Sequence, residues 1–279
     1  MPPTDLVAKA RAFRDMNLAG GLILPNAWDA VSARIIEAAG FPAIATSSAA
    51  IAFARGFPDA EVIGRDAMVA EVALIADRVG VPVTADVEAG YGPTVEDVES
   101  TVEAVLAAGA VGINLEDATL GGGPAPLFDL AEAAGRVAAA RAAADRLGVP
   151  LVINARTDPF LLDVGNSDEE RLVIAVERGR AYLAAGADII FVPGVRNPAL
   201  VGRLADGIAG PISLMISPGA PTAAELFAAG ANRLSLGPHT MLAALGALRA
   251  VAEEARVTGT WAELGRQPVG FNDVEAFFV

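Results

Sequence analysis

The sequence predicts an α/β fold, a single (β/α)₈ barrel of the TIM type that occupies residues 1–279 as one domain. Short runs rich in Val, Ile and Leu alternate with Ala-rich, charge-dotted stretches, which is typical of buried parallel strands separated by amphipathic covering helices. We count eight such pairs, and no linker, Ser-rich stretch or break in composition separates them. One closed barrel needs about 250 residues, so the chain is long enough.

The predicted strands are short apolar runs, each followed by a helical segment. In chain order they are Gly21–Pro25, Ala43–Ser48, Val81–Glu88, Gly112–Asp117, Leu151–Thr157, Ile189–Pro193, Ile212–Ser217 and Arg233–Gly237. The two longest connections follow the second and fourth of these strands. The last segment, Met241–Arg256, and the tail to Val279 are expected to close the barrel or to pack on a neighbouring subunit.

Capping residues and glycines support the positions of the helices. Three helical runs open with capping-box or near-capping-box spacing, at Thr94…Asp97, Ser167…Glu170 and Thr222…Glu225. Four runs end on a glycine of the kind that stops a helix, at Gly40, Gly109, Gly186 and Gly230. An open dinucleotide-binding sheet is disfavoured, because Pro25-Asn26-Ala27-Trp28-Asp29 stands where such a sheet carries its glycine fingerprint.

Composition narrows the classes of partner and chemistry. The formal charge of −14 argues against a nucleic acid or an anionic membrane as partner. The chain has no cysteine, which excludes disulfides, thiolate metal sites and a thiol nucleophile or acid. Met1–Arg14 lacks the apolar core of a signal peptide, and no apolar run approaches the ~18 residues of a membrane span. We therefore expect a soluble, cytoplasmic protein.

Acidic residues gather where two neighbouring predicted strands end. Asp86 and Glu88 close the third strand, and a period of two would place them on one inward face. Glu116 and Asp117 close the fourth. Because such carboxylates repel one another unless they are protonated or share a cation, they predict a divalent metal, and hard oxygen ligands suit Mg²⁺, with Mn²⁺ as the alternative. The competing interpretation is that each acid caps a helix or pairs with an arginine.

Other polar residues at strand ends are candidates for substrate binding. Arg156 ends the fifth strand, and its planar fork suits a carboxylate or an enolate oxygen; the alternative is a structural salt bridge to Asp158 or Glu116. Asn154 precedes it in the same block and is predicted to contact substrate. The small hydroxyl residues Thr46, Ser47 and Ser48 end the second strand and could bind an anion.

Two single residues limit the chemistry further. Lys9, the one lysine, precedes the first strand, so a Schiff-base aldolase with its lysine on a barrel strand is excluded. His239, the one histidine, follows the last strand and could act as an acid or base, but it is equally a residue that starts a helix.

Four blocks taken together resemble the isocitrate lyase/phosphoenolpyruvate mutase superfamily, and in particular its carboxyvinyl-carboxyphosphonate phosphorylmutase-like and PEP phosphonomutase-like members. The resemblance spans most of the chain. The blocks are Pro25-Asn26-Ala27-Trp28-Asp29, Asp86-Val87-Glu88-Ala89-Gly90-Tyr91-Gly92, Asn114-Leu115-Glu116-Asp117 and Asn154-Ala155-Arg156-Thr157-Asp158. Each block alone would be a weak signal, and their order and spacing are what is typical of the superfamily.

The resemblance implies roles for these residues. It implies that Asp86, Glu88 and Glu116 hold Mg²⁺, partly through water, and that an α-keto or α-hydroxy acid chelates the ion. Thr46, Ser47 and Ser48 would bind the substrate carboxylate, and Arg156 would steady the enolate. Asp59 matches a loop aspartate near the metal, so Arg156, Asp59 and Glu116 are the predicted catalytic residues. It also implies a homo-oligomer, a tetramer or dimer, in which the last helix crosses to a neighbouring subunit.

The sequence also departs from the superfamily's pattern. The loop after the fourth strand reads Thr119-Leu120-Gly121-Gly122-Gly123-Pro124-Ala125-Pro126, whereas the lyases carry a cysteine acid there and the mutase a lysine and an asparagine. Isocitrate-type cleavage is therefore disfavoured. After the sixth strand the chain has Pro193 in place of the glutamate or histidine of those enzymes. The glycines Gly121–Gly123 are predicted to form a lid.

These considerations leave three hypotheses. The leading one is a Mg²⁺-dependent C–C bond lyase or decarboxylase that acts on a small 2-oxo or 2-hydroxy carboxylic acid through an enolate. The second is a phosphonate mutase or phosphonopyruvate hydrolase, which would release phosphate or rearrange a P–C bond. The third is a 2-oxo acid binding protein that has kept the metal site and lost the lid acid.

Overall fold

The computed structural model describes residues 4–120, 125–266 and 269–278 and contains one parallel sheet wrapped by helices. The strands are β1 (Leu22–Leu24), β2 (Asn26–Ala27), β3 (Ile44–Thr46), β4 (Val83–Asp86), β5 (Gly112–Glu116), β6 (Val152–Arg156), β7 (Ile189–Phe191), β8 (Ile212–Met215) and β9 (Arg233–Ser235). The helices are α1 (Thr4–Ala19), α2 (Ala30–Ala38), α3 (Ser48–Ala54), α4 (Arg65–Arg78), α5 (Val95–Ala107), α6 (Leu130–Arg146), α7 (Asp168–Ala184), α8 (Pro198–Ile208), α9 (Ala223–Ala228), α10 (His239–Val257) and α11 (Phe271–Glu275). A 3₁₀ turn covers Glu263–Gly265.

The sheet closes on itself because the first predicted strand is shared between its two edges. β1 pairs with β9, and β2 pairs with β3, so the two segments on either side of Pro25 join the ends of the sheet. Proline has no N–H to donate to a ladder, and the strand is interrupted there. The barrel prediction is confirmed, with the correction that the first strand is split in two.

The other strands lie where they were predicted but are shorter. The largest difference concerns the strand predicted over Val81–Glu88, which is observed only over Val83–Asp86. Pro82 precedes it, and the chain leaves the extended conformation before Glu88, whose φ is +49°. The period-of-two argument that placed Glu88 on the strand beside Asp86 was therefore wrong.

The predicted helix signals are confirmed. Thr94 and Thr222 form capping boxes with the acids three residues later, and the Ser167 side chain accepts a hydrogen bond from the Glu170 amide. The four helix-ending glycines all have positive φ. His239 is the first residue of α10, which agrees with the interpretation that it starts a helix.

Helix α1 covers the amino-terminal end of the barrel. Its Phe13 is fully buried and reaches the barrel interior, where a Cβ on Gly112 would lie 2.7 Å from the Phe13 Cε1 atom and 2.8 Å from the Thr84 Oγ1 atom. A glycine is therefore required at the start of β5. Because α1 covers this end of the barrel, the accessible mouth lies at the other end, where the strands have their carboxyl ends.

Helix α10 differs from the other long helices because little of it is covered. All of its residues are described, and Met241 is its one buried residue, while Leu242, Leu245 and Leu248 are 42–63% exposed. The tail returns to its own chain, where the Arg34 Nε atom donates to the Phe277 carbonyl oxygen at 2.9 Å. Crossing of this helix to a neighbouring subunit stays a prediction. No helix among the described residues has both the length and the apolar character that crossing a membrane requires.

Candidate active site

A cavity of about 230 Å³ opens at the carboxyl ends of the strands. Its lining combines residues from β2 to β9 and the loops that follow them. They are Asn26, Ser47, Ser48, Ala49, Asp59, Asp86, Asn114, Arg156, Leu161, Phe191, Met215, Ser235, Gly237 and Pro238. Of the predicted site residues, Ser47, Ser48, Asp59, Asp86 and Arg156 are in this lining, and Thr46, Glu88, Glu116 and Asn154 are not.

Asp86 is held at the end of β4 by neighbouring hydroxyls and amides. Its Oδ2 atom accepts hydrogen bonds from the Ser48 backbone N–H at 3.1 Å and the Ser48 hydroxyl at 2.9 Å. Its own backbone N–H donates to the Thr46 hydroxyl at 2.9 Å. The buried Oδ1 atom has no hydrogen-bond partner among the described residues. An unpaired buried carboxylate oxygen is costly, so this atom is a site where a ligand or cation would be stabilised.

Glu88 lies just beyond the strand and is 2% exposed. Its Oε2 atom accepts from the Glu61 backbone N–H at 2.7 Å, and its Oε1 atom accepts from the Tyr91 hydroxyl at 3.0 Å. Burial, together with the charges of Asp59 and Asp86, raises the pKa of Glu88 to about 8. A nearby cation would restore the ionised form, because an opposite charge lowers the pKa of a carboxyl.

Arg156 is engaged by two buried carboxylates. Its Nη1 atom lies 2.5 Å from the Glu116 Oε2 atom, and its Nε atom donates to the Asp158 Oδ1 atom at 2.7 Å. The salt bridges considered as the alternative from sequence are thus both present, and the guanidinium also lines the cavity. Burial raises the pKa of Glu116 well above its usual range, and Asp158, Asp86 and Glu88 add to this effect while Arg156 opposes it.

Asp117, the fourth acid of the predicted cluster, has a structural role. Its Oδ2 atom accepts from the Thr157 hydroxyl at 2.7 Å, the Tyr182 hydroxyl at 2.7 Å and the Arg178 Nη1 atom at 3.0 Å. Its Oδ1 atom accepts from the Asp158 backbone N–H at 3.0 Å. Both oxygens are satisfied, so this carboxylate orients the segment that carries Asp158.

Asp59 and the two serines occupy the rim near β3. Asp59 follows α3 on an exposed loop, and partial burial and the neighbouring Asp86 raise its pKa. The Ser47 hydroxyl accepts from the Ala50 N–H at 3.4 Å at the start of α3. Ser48 is already bonded to Asp86. Two small hydroxyl residues therefore line the cavity close to Asp86.

A polar layer lies in the barrel interior beneath the cavity floor. The Asn154 Nδ2 atom donates to the Asn114 Oδ1 atom at 2.7 Å, and the Arg233 Nη2 atom donates to the same oxygen at 3.3 Å. Arg233 is fully buried. The sequence reasoning did not single it out, although an arginine that opens a predicted strand is an unusual feature that could have been noticed.

The opposite wall of the cavity is apolar. Phe191 ends β7 in register with Arg156, whose Cζ atom lies 5.9 Å from the centre of the phenyl ring. Met215 ends β8, Leu161 comes from the loop after β6, and Pro238 follows β9. The sequence analysis did not predict these residues as part of the site, because the sequence alone does not distinguish an apolar residue at the end of a strand from a residue of the hydrophobic core.

The residues near Asp86 fit a hydrated divalent ion. Among residues 4–120, 125–266 and 269–278, no three acidic or histidine side chains are already grouped as a metal cage. Mg²⁺ usually keeps several waters and uses one or two carboxylates together with substrate oxygens. The unpartnered Oδ1 atom of Asp86 suits the direct contact, while Glu88 and Glu116 suit contacts through water.

The predicted lid cannot be placed, since Gly121–Gly123 lie outside the described residues. The stem of that loop is described: Ala118 and Leu127 form an antiparallel bridge, and the Thr119 N–H donates to the Pro126 carbonyl at 3.0 Å. Lys9 pairs with Asp5 at 3.7 Å on α1, at the opposite end of the barrel.

Comparisons with known proteins agree with this architecture. The chain is 30% identical over 250 residues to an oxaloacetate decarboxylase of Rhodopseudomonas palustris strain BisB5, covering 84% of this chain and 82% of the relative. It is 31% identical over 240 residues to a phosphonopyruvate hydrolase of Variovorax sp. strain Pal2, covering 81% and 79%.

A solved structure adds a ligand-bound relative. The structure of a phosphonopyruvate hydrolase complex with oxalate and Mg²⁺ superposes with a TM-score of 0.81 at 28% identity, covering 96% of this chain and 94% of that one. The sequence profile described as phosphoenolpyruvate phosphomutase matches residues 13–256. The chain therefore belongs to the phosphoenolpyruvate phosphomutase family, an enzyme family of the isocitrate lyase/PEP mutase superfamily.

Proposed function

We propose that the protein is a Mg²⁺-dependent C–C bond lyase or decarboxylase that acts on a small 2-oxo or 2-hydroxy carboxylic acid through an enolate. The observation that carries this proposal is the half-buried Asp86 carboxylate, which lines a small cavity together with Arg156 and whose buried Oδ1 atom has no hydrogen-bond partner among the described residues. Asp59 and Asp86 line the cavity with one guanidinium, that of Arg156, which already pairs with Glu116 and Asp158, so a cation would stabilise the acids, and a chelating oxo acid would complete the shell of such an ion. Mn²⁺ has the same oxygen preference and is the alternative ion.

Each residue of the site then has its own role. Asp86, Glu88 and Glu116 would hold the ion. When bound, Mg²⁺ supplies a Lewis acid for the chelated oxygens of the substrate. Ser47 and Ser48 bind the substrate carboxylate. Outside the lining, the Thr46 hydroxyl accepts from the Asp86 N–H, and Asn154 donates to Asn114, so both position residues that line the cavity.

Two further residues act on the reacting atoms. Arg156 faces the cavity while Glu116 and Asp158 fix its guanidinium, so its charge is aimed before the enolate forms and needs no reorganisation. Asp59 stands at the rim with a raised pKa, which suits a group that accepts or donates a proton.

The experiment is a direct assay. Purified protein with Mg²⁺ is incubated with a panel of 2-oxo acids and malate analogues, and release of pyruvate or glyoxylate is measured. Glu116→Gln is expected to abolish the release. An absence of turnover of every acid in the panel, in the presence of Mg²⁺ or Mn²⁺, would falsify the proposal.

A phosphonate hydrolase or mutase is the second candidate, and the similarity to a phosphonopyruvate hydrolase favours it. It predicts inorganic phosphate or a rearranged P–C bond, which phosphorus NMR detects. A 2-oxo acid binding protein, the third hypothesis, would bind 2-oxoglutarate or oxalate in the same assay and turn over nothing.

The exposed leucines of α10 support a homo-oligomer, a tetramer or dimer. An apolar helix face of this kind is stabilised by a partner surface. Size-exclusion chromatography with light scattering tests this, and a monomer at micromolar concentration would contradict it. We place the protein in the cytoplasm, where Mg²⁺ and oxo acids are available, with neither a nucleic acid nor a membrane as partner.

A further inference from the structure

The cavity has two chemically different walls, and they face each other. When β1 and β2 are counted as one strand, the barrel has eight strand positions. β3 then lies four positions from β7 in either direction, and β4 lies four positions from β8. Ser48 and Asp86 therefore lie across the mouth from Phe191 and Met215. A substrate that is anchored on the polar wall extends its far end toward the apolar wall.

The lining offers no charge partner for a second anion. Among the described residues that line the cavity, Arg156 is the one cation, and it already contacts two carboxylates. The remaining loop residues, Gly121–Pro124, have no ionisable side chain. His239 is not in the lining, and its Nδ1 atom lies 2.9 Å from the Leu236 carbonyl oxygen.

Burial against the apolar wall would penalise a charged end. A carboxylate or phosphonate placed against Phe191, Met215 and Leu161 would lose hydration without gaining a counter-ion. The Ser235 hydroxyl beside Met215 already donates to the Leu214 carbonyl oxygen at 3.4 Å. An alkyl end would gain from leaving water. The cavity volume of about 230 Å³ limits that end to a few carbons, since pockets for drug-sized ligands start at about 300 Å³.

We propose that the substrate is a monoanionic 4-hydroxy-2-oxo acid with a short alkyl end, and that the reaction is a retro-aldol cleavage. This inference rests on the proposed function and names its substrate class. With one carboxylate bound on the polar wall, decarboxylation of a second carboxylate is not available. The C3–C4 bond is then broken by electrons from a C4 hydroxyl.

The step balances without a further reactant. The C4 hydroxyl proton passes to a carboxylate at the rim, where Asp59 stands. The C4–O bond becomes a carbonyl as the C3–C4 bond breaks, and its electron pair forms the enolate of pyruvate beside Arg156. The same proton returns to C3, and the products are pyruvate and an aldehyde.

Binding is the first test, and it does not depend on turnover. Isothermal titration of the full-length protein with Mg²⁺ compares 2-oxopentanoate with 2-oxoglutarate, which differ only in the terminal methyl or carboxylate group. We expect 2-oxopentanoate to bind at least about tenfold more tightly, the discrimination that an apolar pocket typically supplies. Equal or tighter binding of 2-oxoglutarate overturns the inference.

A variant that installs a cation sharpens the test. Met215→Arg should reverse the order of affinity, because it supplies the charge partner that the wall lacks, whereas Met215→Leu keeps the apolar wall and should keep the wild-type order. If Met215→Arg fails to fold, the wild-type comparison still decides.

Cleavage is the second test. Wild-type protein with Mg²⁺ should release equal amounts of pyruvate and acetaldehyde from 4-hydroxy-2-oxopentanoate, each measured with a coupled dehydrogenase. Faster cleavage of oxaloacetate, of a 2-alkylmalate or of phosphonopyruvate overturns the proposed substrate class. If the preferred substrate is oxaloacetate or a 2-alkylmalate, the protein is still a C–C lyase and the proposed function is retained. Failure to bind or cleave any oxo acid removes the proposed function as well.

Discussion

The two halves of the barrel mouth are built by the same strand-and-loop pattern, yet they differ in character. The half formed by β3 to β6 ends in Asp86, Glu116 and Arg156. Glu116 is buried and pairs with Arg156, and the half-buried Asp86 accepts a hydrogen bond from the Ser48 hydroxyl. The half formed by β7 and β8 ends in Phe191 and Met215, which contribute shape and no charge. The difference supports our proposal that the acidic half carries the reaction and that the apolar half selects the substrate.

Asp86→Asn is expected to have the largest effect, because it removes the charge and one oxygen of the carboxylate in the acidic half. We expect kcat/KM to fall about 10²–10³-fold, the usual cost of losing a preorganised electrostatic contact. The measurement is a steady-state assay at saturating Mg²⁺. Asp163→Asn is the matched control, since that side chain is 83% exposed. Similar rates in both variants would remove Asp86 from the site.

Arg156→Lys should come next. A lysine ammonium cannot reproduce the two-pronged contact with Glu116 and Asp158, so we expect kcat to fall about 10²-fold and stability to fall by about 1–3 kcal/mol. Arg146→Lys is the control, because Arg146 also contacts two carboxylates, Glu99 and Glu103, but on the surface. There the loss of stability should be smaller, because water and salt screen an exposed ion pair. Equal losses by urea unfolding would contradict the contrast.

A pH effect follows from the raised pKa of Glu88. The folded protein keeps this proton up to pH about 8, whereas the unfolded chain releases it near its usual value of 4.5. Stability in the presence of a chelator should therefore fall as the pH rises between these values, by up to about 1.4 kcal/mol per pH unit, and level off above.

Urea unfolding from pH 5 to 9 measures this slope. Glu88→Gln should flatten it, because the amide does not titrate, and Glu253→Gln on α10 should retain it. A slope of the opposite sign in the wild type would mean that the folded state stabilises the Glu88 carboxylate rather than the acid.

Phe191→Leu should have the smallest effect. It shortens the apolar wall without adding charge, so we expect KM to rise about three- to tenfold with kcat nearly unchanged. Phe53→Leu, at a side chain that is 44% exposed, is the control. A large loss of kcat in Phe191→Leu would show that this half takes part in the reaction, and the division between the two halves would no longer hold.

Much of this molecule could be predicted from the chain alone. Runs of Val, Ile and Leu placed all eight strand positions, and the capping pairs and terminal glycines placed the helix ends, because these signals are local. The position of Asp86, Glu116 and Arg156 at strand ends followed from the same reasoning. The hydroxyl residues Thr46, Ser47 and Ser48 were found in the same way, and family resemblance then supplied Asp59.

Other features depended on contacts between residues distant in sequence. Glu88 was misplaced because the left-handed turn after β4 overrides the strand period, and its carboxylate is held instead by Tyr91 and Glu61. Asp117 was grouped with the acidic residues that predict a metal site, whereas its carboxylate accepts hydrogen bonds from Arg178 and Tyr182 of α7. No spacing along the chain reveals such partners.

The sequence by itself determined the fold class, the order of the strands and the acidic character of the mouth, since alternation, capping and charge are properties of neighbouring residues. The tertiary structure alone decided which oxygen of Asp86 is left without a partner, how Arg156 is shared between two carboxylates, and which wall faces it. Those outcomes require the barrel to close, because closure decides which strand ends lie beside one another and which lie across the mouth.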